Sequence, residues 1–504
     1  MKTAQPLIYA ALITIGIYIG SINNHSEISN NKKINNILQI INHHYVDSVN
    51  HNILENDAIN SILKTLDPHS SYISIKDVKI VEEDMQGSFS GIGIEFNIIE
   101  DSIVVVSPIT GGPSEKLGIQ SGDRIVSVEK EDVASIGIKN EDVIKRLRGE
   151  RGSSVNITIK RRGQDDLITF TIIRDDIPLY SIDTGIMLTN DIAYIKINRF
   201  ASTTYDEMIS KTNTLKKKGM RKLILDFRGN PGGYLHIANQ ICDEFLKEGE
   251  LIVFTEGRKR KKQEIFATQN GSLEDIKVIA LIDEGSASAS EIVSGALQDN
   301  DRGLLIGRKS FGKGLVQEQI TLHDGSVIRL TTQRYYTPSG RCIQKKYGNN
   351  TKDYYLEQYT RSDTSIHYPD SLRYTTKKGR YVYGGGGISP DIVIAKDTNV
   401  NYLQINTIMS KGWINEFCFE ESELLKHQNI NNYKEIDITN IYTKFTQFLK
   451  KKDRKFLLKL GNTEFKYLRN LLLENISRNL WDNDIYYKVL SQEDEYIKSA
   501  INNF

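Results

Sequence analysis

Cysteine is scarce: Cys242, Cys342 and Cys418 are scattered through 504 residues. An odd count without short spacings gives neither a disulfide framework nor a metal site, so stability must come from packed apolar cores. Net charge is missing too. With 65 Lys+Arg against 64 Asp+Glu, nothing in the bulk electrostatics points to nucleic acid or to an acidic partner. Internal repeats, low-complexity linkers and motifs for a metal or a nucleotide are absent, so no cofactor is implied. What remains is ordinary globular composition, 39% hydrophobic and 26% charged, at a length that suits roughly three domains.

Long apolar runs are also lacking, with one exception. Lys2 is soon followed by LIYAALITIGIYIGSI, sixteen uncharged residues (7–22) without amphipathic spacing and without an A-x-A site after them. This reads as an uncleaved signal anchor within residues 1–24, which would place the rest of the chain on the outer side of a bacterial inner membrane, in the cell envelope. Residues 25–86 are polar with helical periodicity, as in Ile34, Ile37, Leu38, Ile41 and Tyr45, and end in the turn LDPHSSYIS. From 87 to 174 the texture is β, with one small helix, NEDVIKRL, that Asn140 is expected to cap. From 175 to 398 strand candidates such as IAYIKI, KLILDF, KVIALI and LLIG alternate with helical stretches, an α/β pattern. Residues 399–504 are again helical and suit assembly, including a homodimer built through the terminal helical regions. The cluster RKRKK (258–262) reads as a solvated hairpin tip, and the Gly-ended insert 345–387 as a long hairpin or flap.

In SGIGIEF, Gly91 and Gly93 flank Ile92 just before a strand that continues through Ile94. Glycines there permit a tight turn whose amides can hold an anion, and an exposed strand edge beside it can accept an extended peptide. Together with VVVSPITGGPSEKLGIQSGDRIVSVEKEDV, this stretch resembles a PDZ domain of the circularly ordered bacterial kind. That resemblance makes Gly91, Ile92, Gly93 and Ile94 the carboxylate-binding loop for a protein C-terminus. It also implies an apolar last side chain in a pocket completed by Val143, Ile144 and Leu147.

IALIDEGSASASEIVSGALQDN (279–300) sets three serines at a strand-to-helix junction. A hydroxyl needs a base and oxyanion donors to act as a nucleophile. Ser288, between small alanines, is the least crowded; Ser290, with Glu291 in the first turn, suits a helix cap, and Ser286 a structural role. Lys313 in SFGKGLVQEQ could be the base if its apolar surroundings lower its pKa from about 10.4, with Gln317 orienting the amine. His236 and His69 compete with it, because a Ser-His pair is the commoner arrangement. Spacing leaves the three open. Asp299 shares a helical face with Ser288 but lies about 16 Å along the axis, which suits a structural role at the helix end. LILDFRGNPGG (223–233) ends a buried strand in a glycine loop, so Gly232 or Gly233 with the amide of Ala289 could form an oxyanion hole.

GSASASEI, GRKSFGKGLVQ, LDFRGNPGG and the preceding PDZ-like segment, in that combination, resemble the carboxyl-terminal processing (tail-specific) proteases over residues 30–395. In that family the middle serine is the nucleophile and the lysine of F-G-K-G the base, which implies Ser288 and Lys313, with Gln317 supporting and Asp299 at the helix end. The resemblance implies a crotonase-like α/β core carrying an inserted PDZ domain between helical terminal regions. The expected activity is endoproteolysis of protein substrates with apolar C-termini by a Ser/Lys dyad. Two other readings are an inactive peptide-binding scaffold or chaperone, and an acyl-CoA enzyme of the same core type. The retained serine, lysine and glutamine oppose the first; the PDZ-like segment and the export signal oppose the second.

Overall fold

The computed structural model describes residues 32–268, 271–348, 350–361, 369–396, 401–428 and 430–504. The apolar run 7–22 lies outside them, and no helix among the described residues is long and apolar enough to cross a membrane. The chain forms two compact units, Met1–Tyr72 and Ile73–Phe504. The first holds α1 (Lys32–His44) and α2 (His51–Lys64), the latter capped by Asn50, whose Oδ1 accepts the Asn52 amide at 3.1 Å. His69 belongs to this unit.

The second unit opens with α3 (Ile75–Gln86), which Gly87 ends in the left-handed conformation at φ +80. The β-rich segment enters and leaves side by side, because β1 (Ser88–Gly91) pairs antiparallel with β7 (Asp175–Pro178). Between them, β2 (Ile94–Ile99), β3 (Ser102–Pro108), β4 (Arg124–Val128), β5 (Ser154–Lys160) and β6 (Leu167–Ile173) form an antiparallel sheet in chain order. β2 is therefore an edge. Strict alternation in SVNITIK sends Val155, Ile157 and Ile159 inward, where they meet Ile103, Ile125 and Ile172, all fully buried. Each such side chain contributes about 1.5–3 kcal/mol by leaving water. Helix α4 (Asn140–Leu147) closes the other side of this core. Its cap position is Lys139, not Asn140, and Asp142 accepts the Lys139 amide at 3.3 Å.

The α/β region is built on a sheet in the order β8 (Ile182–Met187), β9 (Ile192–Ile197), β10 (Lys222–Asp226), β13 (Lys277–Ile282), β14 (Gly303–Gly307), β17 (Ile392–Val393). Only the β8–β9 pair is antiparallel. The central strands read as continuous apolar runs because both faces are covered. Leu223, Leu225, Ala280 and Ile282 face α5 (Thr204–Lys217), α6 (Leu235–Asp243) and α7 (Ala289–Asp299). Ile224, Ile279, Leu281 and Ile306 face the opposite way. A second, antiparallel set, β15 (Leu315–Thr321), β16 (Val327–Tyr336), β11 (Leu251–Glu256) and β12 (Gln263–Phe266), pairs in that order. The basic cluster 258–262 forms the loop of the β11–β12 hairpin.

The insert is not one long hairpin. It holds helix α8 (Thr351–Thr360) and a short hairpin, Arg373–Thr375 with Tyr381–Tyr383. Nor are residues 399–504 a single region. α9 (Leu403–Ser410), α10 (Trp413–Leu425), α11 (Ile438–Lys452) and α12 (Asn462–Leu480) share a core around Phe417, Phe445, Leu468 and Leu472. α13 (Asn483–Leu490) and α14 (Glu495–Asn502) instead cover the outer face of the α/β sheet, where Ile497 and Ala500 pack with Ile224 and Leu281.

Candidate active site

Parallel strands β10 and β13 end side by side, and the loops that follow them meet. After β13 the chain turns into α7, which is buried along its whole length. Of the three serines, Ser286 and Ser290 are fully buried, whereas Ser288 is only half-buried and opens onto a cleft. Ser286 Oγ donates to the Phe227 carbonyl at 2.8 Å and accepts the Asp283 amide at 3.0 Å. Ser290 Oγ donates to the Asn230 carbonyl at 3.0 Å. Ser290 is thus not the helix cap; Ser288 holds that position, at φ +56 and ψ −113. A serine with positive φ stores about 1–3 kcal/mol of backbone strain, which the surrounding loops must hold.

The cleft has a volume of 680 Å³ and is lined by Ser288, Lys313, Gln317, Gly232, Gly233 and His236. Lys313 Nζ, in the loop before β15, donates to Oε1 of Gln317 within that strand at 2.8 Å. Gly312 lets the lysine loop pack closely on residues 386–387: its φ is +92, and a Cβ there would sit 2.9 Å from the Gly387 amide. Phe311, Tyr354 of α8 and the buried Lys345 stack behind the lysine loop, with the ammonium 4.0 Å from the Phe311 ring centre. His236 lies on α6 and packs against the Tyr234 ring at 5.1 Å, while His69 sits in the separate N-terminal unit.

Glu291 joins the two loops, a residue that sequence reasoning left in a helix turn. Its Oε2 accepts the amides of Ser288 at 2.8 Å and Lys313 at 2.9 Å; Oε1 accepts Ser310 Oγ at 2.5 Å and the Gly312 amide at 2.7 Å. Two amides on one oxygen lie no more than about 6 Å apart, so the backbones of Ser288 and Lys313 are held together. Burial pushes the carboxyl above its ordinary value, and the four donors oppose that push. The pattern Ser288-x-x-Glu291 is a capping-box signature and would have flagged it.

The glycine loop corrects one expectation. The Gly232 amide donates to Asn230 Oδ1 at 2.8 Å and is therefore not an oxyanion donor. The Gly233 and Ala289 amides carry no protein acceptor among the described residues, so this pair remains for an oxyanion. Gly232 approaches so closely that a Cβ would lie 2.7 Å from Ser288 Cβ. Behind the loop, burial raises the Asp226 carboxyl, but Arg228 and Lys196 beside it hold it well below the usual carboxylate range. Arg228 also donates to Asp494 at 2.8 Å, at the start of α14. Asp299, at the far end of α7, forms a fully buried pair with Arg341 at 2.7 Å and does not reach the cleft.

The second site is a groove of 430 Å³ beside β2, lined by Ile92, Gly93, Ile94, Ile144 and Leu147. Val143 is in the core of the segment and does not face the groove, and Gly91 ends β1 opposite Asp175. Gly93 has φ +73, and its carbonyl accepts the Ile109 amide at 2.9 Å, while the Ile92 carbonyl accepts from Ser114. Among the described residues the amides of Ile92 and Gly93 have no protein acceptor, as an anion-holding turn requires.

The carboxy-terminal-processing protease of Bartonella bacilliformis is 36% identical over 340 residues, covering 66% of this chain and 77% of the relative. The chain belongs to the carboxy-terminal-processing proteases. Peptidase family S41 matches residues 191–356 and a PDZ domain matches residues 104–161, so the β-rich segment is a PDZ domain. The carboxy-terminal processing protease CtpB of Bacillus subtilis is 35% identical over 317 residues, which cover 62% of this chain and 65% of that protein. Among solved structures, the photosystem II D1 C-terminal processing protease is similar at 25% identity and a TM-score of 0.38, over 70% of this chain and 84% of that one.

Proposed function

We propose that this chain is a serine endopeptidase of the cell envelope that captures protein C-termini on its PDZ domain and cleaves with a Ser288/Lys313 dyad. The observation that carries the reading is the cleft in which strained Ser288 faces the lysine loop, with Lys313 Nζ bonded to Gln317. Neutral Lys313 takes the Ser288 proton as Oγ attacks the scissile carbonyl carbon. The amides of Ala289 and Gly233 hold the resulting oxyanion. Collapse breaks the C–N bond, and the amine leaves with the proton from Lys313. Water, deprotonated by Lys313, then hydrolyses the acyl-enzyme. The crotonase-like type of core that the family implies fits strand-end loops meeting at a helix mouth, and the envelope location rests on residues 7–22.

The test uses an unfolded protein with an apolar C-terminus. Ser288→Ala and Lys313→Ala each lower cleavage by at least about a thousandfold while binding persists. Wild-type cleavage by Lys313→Ala refutes the base; no cleavage by the wild-type chain of any such substrate, with binding intact, favours the scaffold reading.

A further inference from the structure

The PDZ groove has a second wall that the PDZ domain does not supply. Opposite Ile92, Ile94 and Leu147 stand Asn415 of α10 and Asn475, Arg478 and Asn479 of α12. The C-terminal helices are docked there by an apolar contact of Phe419 with Ile99 and Val104. Ser121 of the PDZ domain also bonds Glu423 and Lys426 of the α10 end.

Strand alternation decides what each wall would meet. Along β2, Ile94, Phe96 and Ile98 pack toward the PDZ core, whereas Glu95 and Ile99 face the C-terminal helices. β2 is an edge strand, so an extended peptide added to it continues the same pleat. If the last side chain enters the apolar pocket, the penultimate side chain points to the other wall, as does the one two residues before it. That wall is polar, with three carboxamides and one guanidinium. Arg478 Nη2 is 3.7 Å from Glu95 Oε2, and both side chains stay about half exposed, at 48% and 46%. A contact this long and open leaves most of the guanidinium's donors for a ligand.

We propose that α10 and α12 form the second half of the peptide site, and that Arg478 selects a carboxylate side chain at the penultimate position or two residues before it. The proposal rests on capture of C-termini by the PDZ domain and adds its specificity. The guanidinium fork suits a carboxylate held in two parallel bonds, a geometry that a lysine or glutamine side chain does not offer.

The experiment measures binding of three octapeptides to the full chain carrying Ser288→Ala, by fluorescence anisotropy. All end in the same apolar residue and differ only in Glu, Gln or Lys at the two wall-facing positions. The Glu peptide is expected to bind about tenfold more tightly than the Lys peptide. Arg478→Glu is expected to reverse that order and leave the Gln peptide within about twofold, which a merely unfolded variant would not do. Arg478→Lys keeps the order with a smaller ratio. Equal binding of all three peptides to the parent chain and to both Arg478 variants overturns the role of Arg478 and leaves C-terminal capture standing. Failure of every peptide to bind any chain, or undiminished binding of a C-terminally amidated Gln peptide, overturns the capture reading and this proposal with it.

Discussion

Replacing Glu291 by Gln keeps the shape of the side chain and removes the acceptor capacity that ties the two halves of the dyad together. Each carboxylate oxygen now accepts two donors, and an amide can present only one oxygen. With the amide nitrogen on the Lys313 side, two partly buried backbone N–H groups, those of Ser288 and Lys313, face a donor. Turned over, it faces Ser310 Oγ and the Gly312 amide; the hydroxyl can rotate but the amide cannot. At least one buried or partly buried N–H is left without an acceptor, at about 1–3 kcal/mol, and the surviving bonds lose their charge assistance. Relief from burying a carboxylate that burial already disfavours offsets part of this. The net loss is about 2–4 kcal/mol. Urea unfolding in a Ser288→Ala background, which avoids self-cleavage, reads it directly. In the Ser288 chain, cleavage is expected to fall about a hundredfold, because the loops lose register. A stability change under about 0.5 kcal/mol with cleavage within twofold would refute the idea that Glu291 holds the dyad.

Burial and the nearby Asp494 push Glu474 on α12 up to about 7. Its folded value lies above the unfolded one, so the stability it permits at low pH is lost as pH rises from about 4.5 through 7. Glu474→Gln should match wild type near pH 4 and exceed it by about 3 kcal/mol at pH 8 in urea unfolding; a gain that does not vary with pH would oppose this. Asp299→Leu strands the fully buried Arg341 guanidinium and should cost about 3–5 kcal/mol while leaving kcat of the folded fraction unchanged; a large kcat loss at full stability would place Asp299 nearer the chemistry than its pairing allows.

How much could be read beforehand follows the range of the physics involved. Ser288 stood out by its place at a strand-to-helix junction and Lys313 only through the family resemblance, since spacing left two histidines beside it; the structure sets Ser288, Lys313 and His236 along one cleft. β10 and β13 were legible because two covered faces leave an unbroken apolar run. Gly232 was misread for a reason of the same kind: whether an amide in a glycine loop is free depends on where Asn230 turns its side chain. Val143 and Ile144 are neighbours on one helix, and only the docked position of α4 separates core from groove.

The C-terminal helices were the least legible, since an amphipathic helix shows how much it buries and not against what. Their division has a consequence for how they are tested. α12 lines the PDZ groove, whereas α13 and α14 cover the sheet, and Asp494 holds Arg228 directly behind the glycine loop. A truncation between residues 400 and 493 therefore strips Ile497 and Ala500 from the apolar face of Ile224 and Leu281 and takes Asp494 from Arg228, leaving Asp226 as its carboxylate partner. Loss of activity in such a chain reports a damaged protease core, and only single substitutions such as those at Arg478 separate recognition from folding.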